Sequence, residues 1–101
     1  MKLHTIAHSR AGDKGSDSTL SLIAFDKADY PRLRDYVTAE RVKEHFGDIV
    51  KGEVIRFEVP QLGALSFVLK QSLAGGVTRS LAMDIHGKSF SSALLGMDIP
   101  D

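Results

Sequence analysis

His8-Ser9-Arg10-Ala11-Gly12-Asp13-Lys14-Gly15-Ser16-Asp17-Ser18 stands between two apolar runs with strand character. Reading it as a connection places a strand on either side and opens the chain as a sheet. The stretch holds two glycines, three hydroxyls, two acids, two bases and a histidine. A plain hairpin needs only about two to five residues of turn-forming type. This one is longer and chemically richer, and loops carried on a rigid scaffold are where binding groups concentrate.

Working outward, residues 3–9 read as a first strand, with Leu3, Thr5 and Ala7 on one face and His4, Ile6 and His8 on the other. Residues 19–25 form a nearly continuous apolar run (Leu20, Leu22, Ile23, Ala24, Phe25), as expected of a buried central strand. Residues 26–47 are helical in spacing, through Leu33, Tyr36, Val37, Val42 and Phe46. Asp29 is placed to cap that region, Pro31 is tolerated in its first turn, and Gly47 is placed to stop it. Thr38, followed by Ala39 and Glu40, can start a second helix, which allows a break near Val37.

Residues 53–59 alternate, with Ile55, Phe57 and Val59 read as inward and Glu53 and Glu58 as solvent-facing or at an edge. Pro60 ends that strand. In residues 64–73, Leu65, Val68, Leu69 and Leu73 suit a helix, while Phe67-Val68-Leu69 also suits a strand; the reading favours helix. Gly75-Gly76 breaks the chain, residues 77–85 alternate again as a strand, and residues 87–95 form a short helix with Phe90 and Leu94 inward. Pro100 and Asp101 are expected to fray. Strands and helices in this mixed order predict an α+β fold, with about four mainly antiparallel strands and two or three helices on one face. A ferredoxin-like sandwich is the nearest small template.

Bulk properties limit the function classes. The 101 residues form one domain, residues 1–101, with 43% hydrophobic residues to supply a core. Lys plus Arg and Asp plus Glu each number 13, so the formal net charge is zero. That argues against nucleic acid, which calls for a basic excess, and it favours self-association or a protein partner. With no cysteine there are no disulfides, thiolate metal sites or cysteine nucleophiles. The N-terminus lacks a signal-peptide run, and no segment approaches the roughly 20 apolar residues of a membrane span, so a cytoplasmic domain is expected.

Within the polar stretch, Gly12 and Gly15 permit positive-φ backbone that turns amides toward an anion, with Arg10 and Lys14 adding charge. The alternative is a solvated loop in which Asp13 pairs with Lys14 or Arg10. Two glycine motifs fail: Ala82 stands where a Walker loop needs its first glycine, and no Gly-x-Gly-x-x-Gly is present. Gly12-Asp13-Lys14-Gly15 fits the clamp of KH domains, but zero net charge and the strand after it oppose RNA.

For metals, His4 and His8 on one strand lie about 13 Å apart, too far to share an ion unless that segment is helical, where four residues make about one turn. His8 with Asp13, or His86 with Asp84, falls short of a spaced ligand set. His8, Ser9, Asp13 and Lys14, or the run Asp84-Ile85-His86-Gly87-Lys88, contain acid–base and nucleophilic types without fixing a catalytic residue. The candidate ligand-binding set is therefore His8, Ser9, Arg10, Gly12, Asp13, Lys14, Gly15, Asp84, His86 and Lys88. No cofactor and no metal is expected.

Taken together, Ser9-Arg10-Ala11-Gly12-Asp13-Lys14-Gly15, Thr38-Ala39-Glu40-Arg41-Val42-Lys43, Glu58-Val59-Pro60, Ala64-Leu65-Ser66-Phe67-Val68-Leu69, Leu73-Ala74-Gly75-Gly76-Val77-Thr78 and Asp84-Ile85-His86-Gly87-Lys88 resemble the small domain of AtuA-like proteins, in order along the chain. Ser66 departs from the family's pattern, where Asn is the expected residue. The resemblance implies a ferredoxin-like fold and an AtuA-type large protein as partner. It also implies a link to catabolism of branched acyl or terpenoid acids. It transfers no catalytic residue and favours an accessory subunit without independent activity. The alternative is a self-contained ligand binder or enzyme, a homo-oligomer with its site at a subunit interface.

Overall fold

The computed structural model describes residues 1–14, 17–47, 50–71 and 89–100, with Asp13, Lys14, Ser89 and Phe90 described by backbone alone. A single 3-10 turn, Leu3–Thr5, precedes strand β1, Ala7–Lys14. β2 is Asp17–Ala24, β3 is Val54–Val59 and β4 is Ala64–Leu69. The helices are α1, Tyr30–Tyr36; α2, Ala39–Phe46; and α3, Ser89–Leu95. All neighbours in the sheet are antiparallel, in the order β1-β2-β4-β3.

The first strand is shifted along the sequence from its expected place. Leu3 is buried in the 3-10 turn, and the extended chain begins at Ala7. Most of the polar stretch is strand as well: every residue of β1 has a partner in β2, from Ala7↔Ala24 to Lys14↔Asp17. Only Gly15 and Ser16, outside the described residues, separate the two strands. Backbone pairing does not depend on side-chain polarity, and an edge strand with one uncovered face accepts His, Arg and Gly there. A search for apolar runs therefore misses it.

The helical region breaks where the second capping signal stands. The Thr38 hydroxyl accepts from Arg41 N at 3.2 Å and starts α2, which ends at Gly47 with φ +59°. Asp29 makes no capping bond; Asp26 instead accepts from Ala28 N at 2.9 Å and caps a preceding 3-10 turn, Lys27–Asp29.

Residues 64–69 are strand, which corrects the helical expectation. Leu65, Phe67 and Leu69 are fully buried while Ser66 and Val68 are only half-buried, an alternation of period two. The helical spacing of leucines in this segment coincides with that alternation over so short a run. Its partners on both sides, β2 and β3, decide for strand. Leu73, Gly75-Gly76 and the strand expected over 77–85 lie outside the described residues.

Opposed residues in an antiparallel pair share a face, so the register assigns every side chain to a layer. Ala7, Leu20, Leu22, Ala24, Leu65, Phe67 and Leu69 all fall on one face and form a single buried cluster with Tyr30, Leu33, Val37, Val42, Phe46 and Leu94. The helices cover that face. On β3 the same register points Val54, Arg56 and Glu58 coreward and leaves Phe57 51% exposed, the reverse of the expected facing. Arg56 is accommodated because its guanidinium passes over the core edge to donate to Arg34 O at 2.7 Å and Val37 O at 3.1 Å. It also pairs with Glu58 at 3.2 Å. One carbonyl of the last turn of α1 and the carbonyl of its C-terminal cap, Val37, are thereby satisfied.

The two ends of the described chain are joined. The Met1 ammonium donates to Ile99 O at 2.7 Å, Lys2 pairs with Asp98, and Leu3 N donates to Met97 O at 2.9 Å. Ile99 is buried, so the tail is anchored up to the residue before Pro100. The sheet with its helices on one face is an α+β, ferredoxin-like sandwich. β2, α1–α2 and β3 form a split unit with β4 inserted between the two parallel strands. β1 flanks β2 on the other side.

Candidate functional site

The face opposite the helices carries the candidate groups of the hairpin. Along β1 the register places His8, Arg10 and Gly12 on it, opposite Ile23, Ser21 and Thr19 of β2. Ser66 of β4 and Phe57 of β3 continue the Arg10–Ser21 row across the sheet. A guanidinium, two hydroxyls and an aromatic ring thus lie in one cross-strand line.

The Arg10 side chain is exposed and makes no hydrogen bond or ion pair among the described residues. A guanidinium so placed keeps its donors for an incoming carboxylate or phosphate. His8 stacks on Phe25, ring centroids 5.4 Å apart at 20°, while Phe25 itself is 65% exposed. This pair forms an aromatic shelf at the end of the sheet where the chain leaves β2.

Gly12 does not form the positive-φ nest that its spacing suggested. It is extended strand, and a Cβ there would come within 3.0 Å of Thr19 Oγ1. Its role is close cross-strand approach. Ser9 is on the core face, opposite Leu22, and its buried hydroxyl has no hydrogen-bond partner among the described residues. It is turned away from Arg10 and His8. The backbone of Asp13 and Lys14 belongs to β1. Gly15, Asp84, His86 and Lys88 lie outside the described residues. Of the expected set, His8 and Arg10 are brought together on one face, with Gly12 as a flat neighbour.

The register adds three residues that composition did not single out: Thr19, Ser21 and Ser66. The sequence signal for Thr19 and Ser21 is polarity at alternate positions of an otherwise apolar strand, and Ser66 is also the position that departs from the family's Asn. At the tip of the hairpin Asp17 accepts from Gln71 N at 3.0 Å and from the Lys70 ammonium at 3.3 Å. The Gln71 bond above all, then the Lys70 charge, holds the carboxyl below its ordinary value against partial desolvation. Gln71 has φ +55°, a left-handed backbone that side chains rarely adopt, and Asp17 fixes it.

A second polar cluster lies between α2 and the C-terminal segment: a cleft of about 190 Å³ lined by Arg41, Glu44, His45, Met97 and Asp98. Arg41 donates to Asp98 O at 3.2 Å, His45 Nε2 lies 2.7 Å from Ala93 O, and Lys2 holds the Asp98 carboxylate at 3.1 Å. These groups tie chain segments together, and the cleft is below the usual size of a small-molecule site. Among the described residues no three His, Asp or Glu side chains converge as a metal-ligand set. No helix among the described residues is long and apolar enough to cross a membrane.

Fold and face define a ferredoxin-like α+β domain with one side of its sheet uncovered by any of the described residues. The chain belongs to the family of the AtuA ferredoxin-like domain, whose model matches residues 1–100. No curated protein and no solved structure matches it.

Proposed function

We propose that this domain is the small partner of an AtuA-type large protein, acting in the breakdown of branched acyl or terpenoid acids. Its β1–β2 hairpin supplies one wall of an anion-binding site at the junction between the two. Arg10 carries the reading: a guanidinium unpaired among the described residues, beside Ser21 on a sheet face that no described element covers, in a chain of the AtuA ferredoxin-like family. The charge of Arg10 suits the carboxylate or phosphate end of an acyl substrate, and His8 with Phe25 offers an apolar surface for its carbon chain. Gly15, Asp84, His86 and Lys88 are the sequence candidates for the remainder of that wall. The domain contributes binding groups, and the large protein contributes the chemistry.

Co-expression with an AtuA-type large protein, followed by size-exclusion at micromolar concentration, tests the pairing. A shared peak is expected; two separate peaks overturn it. In the complex, Arg10→Ala should leave assembly intact while weakening acyl-CoA or carboxylate binding by about tenfold or more, the loss of a charge-assisted contact.

A further inference from the structure

β3 is an edge strand, and the ladder shows which of its groups face outward. Lys70 N donates to Glu53 O at 3.0 Å, and Ala24 N donates to Gly63 O at 2.9 Å. By alternation along both strands, Ile55, Phe57 and Val59 bond toward β4. The N–H and C=O groups of Val54, Arg56 and Glu58 therefore point away from the sheet, and among the described residues none of them has a hydrogen-bond partner. An open edge of this kind is a template for another strand.

The strand's own sequence selects its partner. In antiparallel pairing about a two-fold axis, opposed residues share a face, so even positions oppose even and odd oppose odd. Centring on Arg56 opposes two arginines, and centring on Glu58 opposes two glutamates. Centring on Phe57 opposes Arg56 to Glu58 twice, Phe57 to Phe57, and Ile55 to Val59. The other edge offers nothing comparable. In β1 the bases His8, Arg10 and Lys14 are at even positions and the acid Asp13 at an odd one, so no register opposes unlike charges.

We propose that β3 pairs with β3 of a second copy of this chain, centred on Phe57, joining the two four-stranded sheets into one of eight strands. The outward groups of Arg56 and Glu58 then exchange backbone hydrogen bonds with their counterparts. Phe57 meets its copy at the non-hydrogen-bonded position, where side chains come closest. The 51% exposure of Phe57 is relieved in the pair. Arg56 keeps its bonds to Arg34 O and Val37 O, so its side chain does not block the edge. Zero net charge removes long-range repulsion between copies. This surface is separate from the hairpin and does not depend on the proposed partner.

Because the chain contains no cysteine, single-cysteine variants report the register directly. Under mild oxidation Phe57→Cys should form a disulfide-linked dimer. Ile55→Cys, whose two copies sit about 13 Å apart in this register, should cross-link far more slowly. In sedimentation the native chain should show a concentration-dependent monomer–dimer equilibrium. Glu58→Lys, folded by circular dichroism, should weaken it by at least about tenfold, because a lysine then faces Arg56 at both symmetric positions. A chain that stays monomeric into the millimolar range overturns the proposal. So does a dimer of undiminished affinity in Glu58→Lys, or Ile55→Cys cross-linking as fast as Phe57→Cys.

Discussion

Arg56 sits on a strand, faces the core and stabilises a helix end. Its guanidinium serves two carbonyls at the end of α1 and the Glu58 carboxylate with its side chain only 19% exposed. Arg56→Ala should cost about 1.5–3 kcal/mol in urea denaturation, the range for hydrogen bonds to a charged group. Arg56→Lys should recover only part, since an ammonium lacks the planar fork. Tyr30 is the counterexample: its buried hydroxyl makes no well-formed hydrogen bond among the described residues, and burial first, then the charge and proximity of the Glu58 carboxylate, raise its pKa above 10.0. A raised pKa contributes stability that is present below the unfolded value and lost as pH rises through the folded one. Tyr30→Phe should therefore raise stability by on the order of 1 kcal/mol and flatten its alkaline decline in a Tm-versus-pH series. Asp17 has the opposite sign. Its depressed pKa contributes stability above the unfolded value near 3.8, lost as pH falls through the lower folded value. Asp17→Asn should lower Tm at neutral pH and reduce the fall between neutral and acid pH.

Elements show where local signals suffice and where they do not. The break between α1 and α2 was legible because Thr38 is a capping residue followed by good helix formers, and its hydroxyl takes that bond. Thr38→Ala should cost about 1 kcal/mol by chemical denaturation. β4 was not legible. Leu65, Val68, Leu69 and Leu73 fit a helical stripe as well as Leu65, Phe67 and Leu69 fit a pleat, and only the flanking strands separate the two. Phe67, fully buried at the centre of the sheet, should cost about 3–5 kcal/mol when replaced by Ala. β3 was found in the right place with its faces exchanged, because Ile55, Phe57 and Val59 are the more apolar set. An edge strand inherits its pleat from its neighbour, and β4 turns Leu65, Phe67 and Leu69 to the core.

At the scale of the molecule, one sheet face is spent on the core and the other is left with Arg10, the His8–Phe25 stack and the hydroxyls of Thr19, Ser21 and Ser66. The sequence reading took the segment that supplies Arg10 and His8 as a loop, where the structure pairs it as strand. As a result Ser9 was grouped with Arg10, although the pleat puts them on opposite sides.

Composition and motif order by themselves determined the class: an α+β fold in the AtuA ferredoxin-like family, on a chain of zero net charge without cysteine. Local sequence also determined the start of α2 at Thr38 and its stop at Gly47, because capping is a contact between residues a few positions apart, although the cap expected at Asp29 falls instead at Asp26. Tertiary structure decided the rest: that residues 64–69 are strand, that the hairpin is paired almost to its tip, which face each polar side chain takes, and that β3 has a free edge. Each of these depends on strand pairing between residues distant in sequence. A shift of one position in that pairing moves every side chain to the other face.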